Sequence, residues 1–162
     1  MPFECRVEGM EELISNFGKL PEIAARVAAE ALYEGAGVMA DGVSQAVKGI
    51  ATKRFKYPAP PGKQRMPSPE EKAILENSKH GIAKFRNNGT EINTSVGFQN
   101  SGYAKLNGKT VPVPKIANAI NSGTSFMKKQ PFMRKAFSQN KAKAIAKIEE
   151  EIKKREDQFN ID

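Results

Sequence analysis

The sequence predicts an α+β fold in which a small antiparallel sheet packs against a long N-terminal helix and a C-terminal helix. Apolar residues recur at helical spacing along residues 21–50 and again along residues 131–157. Two turn signals, Asn87-Asn88-Gly89-Thr90 and Asn107-Gly108, each lie between short runs that fit β-strands. A chain of 162 residues fits one ordinary domain, so we expect a single domain over residues 1–162.

The N-terminal elements follow from two different periodicities. Residues 3–7 alternate apolar and polar side chains, which predicts a short strand. Residues 10–20 place apolar side chains on one helical face and predict a first helix. Pro21 is suited to the first turn of the next helix, the one over residues 21–50.

Three glycines, Gly35, Gly37 and Gly42, lie inside this long predicted helix. Glycine destabilises a helix interior by roughly 1 kcal/mol relative to alanine, so their presence needs a physical reason. One reason is a kink or break near residues 35–42. The other is the close approach of a neighbouring backbone to a face of small residues, in which case leucine at Ala36 or Gly37 would overpack that face.

Residues 51–69 have a different composition, with five prolines, five basic residues and no acidic residue. Proline at this density prevents both a helix and a central strand, which predicts an exposed, extended and mobile basic arm. Its cations and aromatic rings suggest docking on an acidic protein surface, contact with single-stranded nucleic acid, or a simple contribution to solubility. The candidate partner-binding residues are Lys53, Arg54, Phe55, Lys56, Tyr57, Lys63 and Arg65.

The remaining elements have local start and stop signals. Ser68 followed by Pro69 and two glutamates predicts a helix that begins there and runs to about Lys79. Two hairpins, a short helix, a loop and the last helix should follow. The hairpins are predicted over residues 82–86 with 91–98 and over residues 103–106 with 110–113. The short helix is predicted over 116–121, the loop over 123–125 and the last helix over 131–157.

The side chains that catalysis or metal binding needs are scarce. His80 is the only histidine and Cys5 the only cysteine, so one chain cannot form a histidine-based triad or a zinc site. We expect His80 to cap a helix end. The acidic run 149–151 has lysines four residues further on, which is typical of a solvated, ion-paired helix face. Asp41, among small residues, is a candidate buried acid without a charged partner, and we expect no cofactor.

The net charge and the lack of targeting signals indicate which partners and which compartment to expect. The net charge is +8 and the isoelectric point about 9.6, which favours acidic partners. No apolar run approaches the length of a membrane span, and the N-terminal residues lack the pattern of a secretory signal. A single cysteine is typical of a reducing compartment. We therefore expect synthesis in the cytoplasm and no membrane partner.

Several blocks, taken in order, resemble one family of proteins. They are the predicted strand and helix that end at Leu20, Ala31 to Met39, Leu75 to Phe85, Val96-Gly97-Phe98, Gly123-Thr124 and Gln130 to Phe137. This order is similar to the minor structural proteins of the neck or tail-completion region of long-tailed bacteriophages and prophages. The most specific feature is a Gly-Thr element followed by a Pro-Phe-hydrophobic-Arg-x-Ala helix start. The resemblance implies structural anchors at Gly123, Thr124, Pro131, Phe132 and Ala136.

The resemblance implies a non-enzymatic virion assembly subunit at the head–tail junction or tail end, which completes the tail or joins it to the head. Its partners would be copies of itself in a ring, a hexamer, and neighbouring neck and tail proteins. It would be found in the virion, and in the host cytoplasm during assembly.

The chain has Asn121-Ser122 where members often carry an acidic residue. The alternative function is a basic nucleic-acid-binding module that uses the arm and the Lys-rich helix 141–155.

Overall fold

The computed structural model describes residues 3–7, 21–54, 62–78, 81–82, 85–87, 92–99 and 101–159. These residues form four helices and six short strands, an α+β fold as predicted. In chain order the elements are β1 (Phe3–Val7), α1 (Pro21–Lys48), α2 (Pro69–Asn77), β2 (Gly81–Ile82), β3 (Arg86–Asn87), β4 (Ile92–Gly97), β5 (Tyr103–Leu106), β6 (Lys109–Pro112), α3 (Val113–Ser122) and α4 (Phe132–Phe159). The predicted helix over residues 10–20, His80 and residues 88–91 of the first hairpin lie outside the described residues.

We expected one domain, and the chain divides into two compact units built from alternating segments. The sheet unit comprises Phe3–Ala40, Ile82–Val96 and Asn140–Asp162. The hairpin unit comprises Asp41–Gly81 and Gly97–Gln139. Helices α1 and α4 contribute residues to both units, and each unit is described separately below.

Strand β4 is the centre of the sheet unit. It pairs antiparallel with β1, from Phe3 opposite Val96 to Val7 opposite Ile92. It also pairs antiparallel with β3, where Arg86 lies opposite Asn93, and β2 joins the same sheet beside β4. The predicted strand over residues 3–7 and the pairing of the first predicted hairpin are therefore confirmed.

The two long helices pack on this sheet, as predicted. Helix α1 contributes the buried residues Ala24, Val27, Ala28 and Leu32, which form one cluster with Ile92 of β4. Ile148 and Ile152 of α4 pack against the same cluster. Small residues dominate this face of α1, so the neighbouring elements approach its backbone closely.

Helix α1 runs without interruption through all three glycines, which excludes a break near residues 35–42. Close approach explains Gly35, where a Cβ atom would lie 2.6 Å from Ile148 Cδ1 and 3.1 Å from the Ala144 carbonyl oxygen. Ala36 is buried, but a Cβ atom at Gly37 would meet no atom within 4 Å, so the expected overpacking does not apply there. Asp41 is exposed, which corrects the expectation of a buried acid.

The hairpin unit confirms the local turn and cap signals. Strands β5 and β6 pair antiparallel around Asn107 and Gly108, whose φ angles of 51° and 75° fit a type I′ turn. Ser68 caps α2 and forms a capping box with Glu71, and Pro69 occupies the first turn. The short predicted helix is present as α3 and begins three residues earlier than expected. No helix in the described ranges is both long and apolar enough to cross a membrane.

The contrast between Gly35 and Gly37 predicts opposite effects of one substitution. Gly35→Ala should destabilise the protein by about 1–3 kcal/mol, because its methyl group would overlap Ile148 in a packed interior. Gly37→Ala should stabilise it by up to about 1 kcal/mol, because the helix gains propensity and the methyl group meets open space. Urea unfolding of both variants measures the two changes. Equal effects at the two positions would contradict the close approach at Gly35.

Candidate functional site

Three segments without regular secondary structure lie side by side in the hairpin unit, and we call them the junction (residues 51–54, 64–67 and 124–130). The Lys53 N–H donates to the Pro67 carbonyl at 2.9 Å. The Arg65 N–H donates to the Phe126 carbonyl, and the Lys128 N–H donates to the Arg65 carbonyl, both at 2.8 Å. Arg65 and Met127 thus form a parallel bridge that joins the second segment to the third.

The Gly-Thr element forms the turn that opens the third segment. The Thr124 hydroxyl accepts a hydrogen bond from the Met127 N–H at 2.9 Å, and the Thr124 N–H donates to the Met127 carbonyl at 3.0 Å. Gly123 has a φ angle of 75°, and a Cβ atom there would lie 2.9 Å from Lys129 Cβ. The position therefore favours glycine for both conformation and space.

Two amide side chains hold the junction and the start of α4, and neither was among the predicted anchors. The Gln130 side chain accepts from the Ala51 N–H at 2.9 Å and donates to the Ala51 carbonyl at 2.8 Å. The Asn121 Oδ1 atom accepts a hydrogen bond from the Met133 N–H in the first turn of α4 at 3.1 Å. The only local sequence signal for this role was the position of the Gln130 amide directly before Pro131. Of the other anchors, Phe132 and Ala136 are buried, and Phe132 packs edge-to-face on Phe98 with 6.3 Å between ring centroids.

A bidentate ion pair lies beneath the junction. Arg65 Nη2 is 2.6 Å from Glu71 Oε1, and Arg65 Nη1 is 2.8 Å from Glu71 Oε2. The Ser68 N–H donates to the same Oε2 atom at 2.8 Å. The two side chains are only 11% and 5% exposed, so this carboxylate depends on protein donors instead of water.

The ion pair changes the interpretation of the predicted arm. Arg65 was expected to bind a partner, but its side chain is turned inward to Glu71, and Pro67 and Ser68 are buried. The end of the arm is thus attached to the hairpin unit, which corrects its expected full exposure. Lys53, Arg54 and Lys63 are exposed, as a partner-binding role requires. Phe55, Lys56 and Tyr57 lie outside the described residues.

Replacing Arg65 with methionine should destabilise the protein by about 3–5 kcal/mol, because the Glu71 carboxylate would remain buried without its charged partner. Removing the carboxylate as well, in Arg65→Met with Glu71→Leu, should recover most of this loss. Urea unfolding of the two variants measures the difference. The matched control is Lys63→Met, an exposed cation two residues away, which should change stability by less than about 1 kcal/mol.

The lysines of the last helix are partly neutralised by acids of the same helix. Lys147 Nζ is 3.0 Å from Glu151 Oε1, and Lys154 Nζ is 2.8 Å from Glu150 Oε1. The hydrogen bond from Lys147 lowers the pKa of Glu151, and the hydrogen bond from Lys154 lowers the pKa of Glu150. The predicted ion-paired face is therefore present at Glu150 and Lys154, and two lysines of the 141–155 region are engaged within the helix.

These shifts predict a pH dependence at the end of α4. A carboxyl whose pKa is lowered in the folded state stabilises that state above its unfolded pKa, about 4.3 for glutamate, and this contribution is lost as the pH falls through the folded pKa. Helix protection in this region should therefore decrease on acidification. Carboxyl titration by NMR should show Lys147→Ala raising the pKa of Glu151, with Lys143→Ala as the control. An unchanged Glu151 pKa in Lys147→Ala would contradict the assigned cause.

The charges of the hairpin unit are distributed unevenly along the chain. Residues 97–139 of the hairpin unit contain seven Lys and Arg residues and no Asp or Glu. All seven of these cations are exposed. The Glu71 carboxylate, an acid of the same unit, is already engaged by Arg65. The exposed charges of residues 97–139 are therefore all positive, which favours an acidic partner for this part of the unit.

The grooves of the hairpin unit offer little chemistry. One is bounded by α2 and β5. Its larger lining residues are Ile74, Asn77, Tyr103 and Val113, and the rest are Ala, Ser and Gly. Another lies beside the start of α4, where Lys135 is the only ionisable side chain of its lining. Among the described residues, no group of three His, Cys, Asp or Glu side chains is placed to hold a metal ion.

Comparisons of the chain with protein-family models, curated proteins and solved structures give no match. The functional interpretation therefore depends on the residues and the geometry described above.

Proposed function

We propose that this chain is a non-enzymatic virion assembly subunit of a long-tailed bacteriophage or prophage, located in the neck or tail-completion region, where it completes the tail or joins it to the head. The observation that carries the proposal concerns the block from Gly123 to Ala136. The residues on which the resemblance depends most are the same residues that build the junction and begin α4.

The polar side chains of this block support an anchoring role. The Thr124 hydroxyl, the Gln130 amide and the Asn121 amide each bind backbone groups of the same unit. A catalytic side chain must instead present its reactive atom to a substrate within hydrogen-bonding reach. A block whose polar atoms serve the backbone is suited to a rigid scaffold, which an assembly subunit needs for repeated contacts of fixed geometry.

We further propose that the subunit forms a ring with copies of itself, a hexamer in the family it resembles, and contacts an acidic neighbour through Lys53 and Arg54. Both residues are exposed, and the Lys53 N–H is tied to Pro67 of the second segment. A cation on an ordered segment loses less conformational freedom on binding than one on a free chain. Electrostatic contacts of this kind mainly raise the rate and specificity of docking.

The proposed site of action is the virion, with the host cytoplasm as the place of assembly. The alternative of a nucleic-acid-binding module was expected to use lysines of residues 141–155. Lys147 and Lys154 donate to Glu150 and Glu151 within the helix, which reduces the charge available to phosphates. That helix therefore gives the alternative little support.

Deletion of the gene from its prophage tests the proposal. Induced cells should accumulate heads and tails that are not joined, or tails that are not completed, and electron microscopy of the lysate counts them. Complementation with the intact chain should restore infectious particles. Normal infectious particles after deletion would contradict the assembly function.

A charge-reversed chain tests the proposed docking residues. Lys53→Glu with Arg54→Glu should retain the fold by circular dichroism and lower the joining of heads to tails at low salt, and its deficit relative to the intact chain should shrink as salt is added. The matched control is Lys109→Glu with Lys115→Glu, which reverses two other exposed cations of the hairpin unit. Equal joining by the two variants would remove Lys53 and Arg54 from the mechanism and leave the deletion result unaffected.

A further inference from the structure

Phe126 is an aromatic side chain that is held in a fixed position and still 55% exposed. Its carbonyl accepts a hydrogen bond from the Arg65 N–H at 2.8 Å. Its own N–H points to the Thr124 hydroxyl at 3.3 Å, within the turn of the Gly-Thr element. Both backbone groups of Phe126 are thus engaged in the junction, while its ring has no part in the buried core.

Phe126 and Lys128 are both exposed, on either side of the buried residue Met127. Its bridge partner Arg65 likewise points inward to Glu71. Gln64 beside Arg65 is exposed, and the Arg65 backbone is hydrogen-bonded to both Phe126 and Lys128, so these exposed residues lie close together and form a small platform.

The rim of this platform carries positive charge alone. Lys63, Lys128 and Lys129 are exposed, and within the described ranges no acidic side chain forms an ion pair with them. Lys53 and Arg54 are exposed on the first segment of the same junction. The carboxylate of Glu71 beneath the platform is neutralised by Arg65, so the platform is not offset by a free carboxylate below it.

We propose that this platform binds single-stranded nucleic acid, with a base stacked on Phe126 and phosphates bound by Lys128, Lys129 and Lys63. An aromatic ring stacks on any base, and cations around it follow the strand without reading its sequence. The exposed ring among these cations favours a single strand over an acidic protein, because a base offers a flat face on which the ring can stack. This function is separate from the proposed assembly role, and it centres on Phe126 and the lysines of the third segment instead of on the last helix.

Fluorescence anisotropy with a labelled oligo-dT of about 15 nucleotides, the upper range of site sizes for such surfaces, tests the proposal on the full chain. Phe126→Ala should weaken binding by about 5- to 100-fold, the loss expected when one base no longer stacks. Phe126→Trp should retain binding, because it preserves the stacking face. The matched control is Tyr103→Ala, which removes another exposed aromatic ring of the same unit and should leave the affinity unchanged.

The salt dependence tests the phosphate contacts. For single strands the slope of log K against log salt is about −0.7 for each phosphate neutralised, so Lys128→Glu with Lys129→Glu should make the slope shallower by about 1.4. Lys143→Glu, on α4 outside the hairpin unit, is the control and should leave the slope unchanged.

Three results would overturn the proposal. They are no binding at low salt, equal weakening by Phe126→Ala and Tyr103→Ala, and a duplex or poly-glutamate bound as tightly as the single strand. The last would indicate a general polyanion or acidic-protein surface. None of these results depends on whether the chain completes a virion, because the assay uses the purified protein alone.

Discussion

The ion pair between Arg65 and Glu71 is the interaction on which the hairpin unit depends most. Glu71 closes the capping box of α2 through the Ser68 N–H, and the same carboxylate holds both terminal nitrogens of Arg65. The Arg65 backbone in turn bridges Phe126 and Lys128. A single buried carboxylate therefore connects the start of a helix to the segment that precedes α4. Such a group is tolerated in a poorly hydrated place only because three donors satisfy it.

Elements with local signals could be predicted from the sequence. A capping serine followed by proline and glutamate begins α2, and Asn107-Gly108 forces the positive φ angles of a type I′ turn. The side-chain interactions of the junction could not be predicted in the same way. Gln130 binds Ala51, 79 residues earlier in the chain, and no local pattern encodes that distance. The partner of Arg65 was also missed, because a proline-rich basic composition suggested an exposed arm and gave no information on burial.

The glycines of α1 and the apolar residues of α4 show a second limit. Gly35 and Gly37 look equivalent in the sequence, but only Gly35 faces the side chain of Ile148. The apolar residues that recur at helical spacing in the last predicted helix include Ile145, which is 45% exposed. A period identifies the face of a helix. Which positions on that face meet a neighbour depends on where the neighbouring helix crosses it.

Both proposed functions depend on one junction of fixed geometry. The anchor residues hold three segments together, and exposed cations and one aromatic ring project from them. Amide hydrogen exchange followed by NMR measures this order most directly, at the N–H groups of Arg65, Lys128 and Met133 in the isolated chain. If the junction is formed, all three amides should exchange far more slowly than in an unfolded peptide, and Arg65→Met should accelerate the first two. Exchange of these amides at unprotected rates in the intact chain would contradict the account.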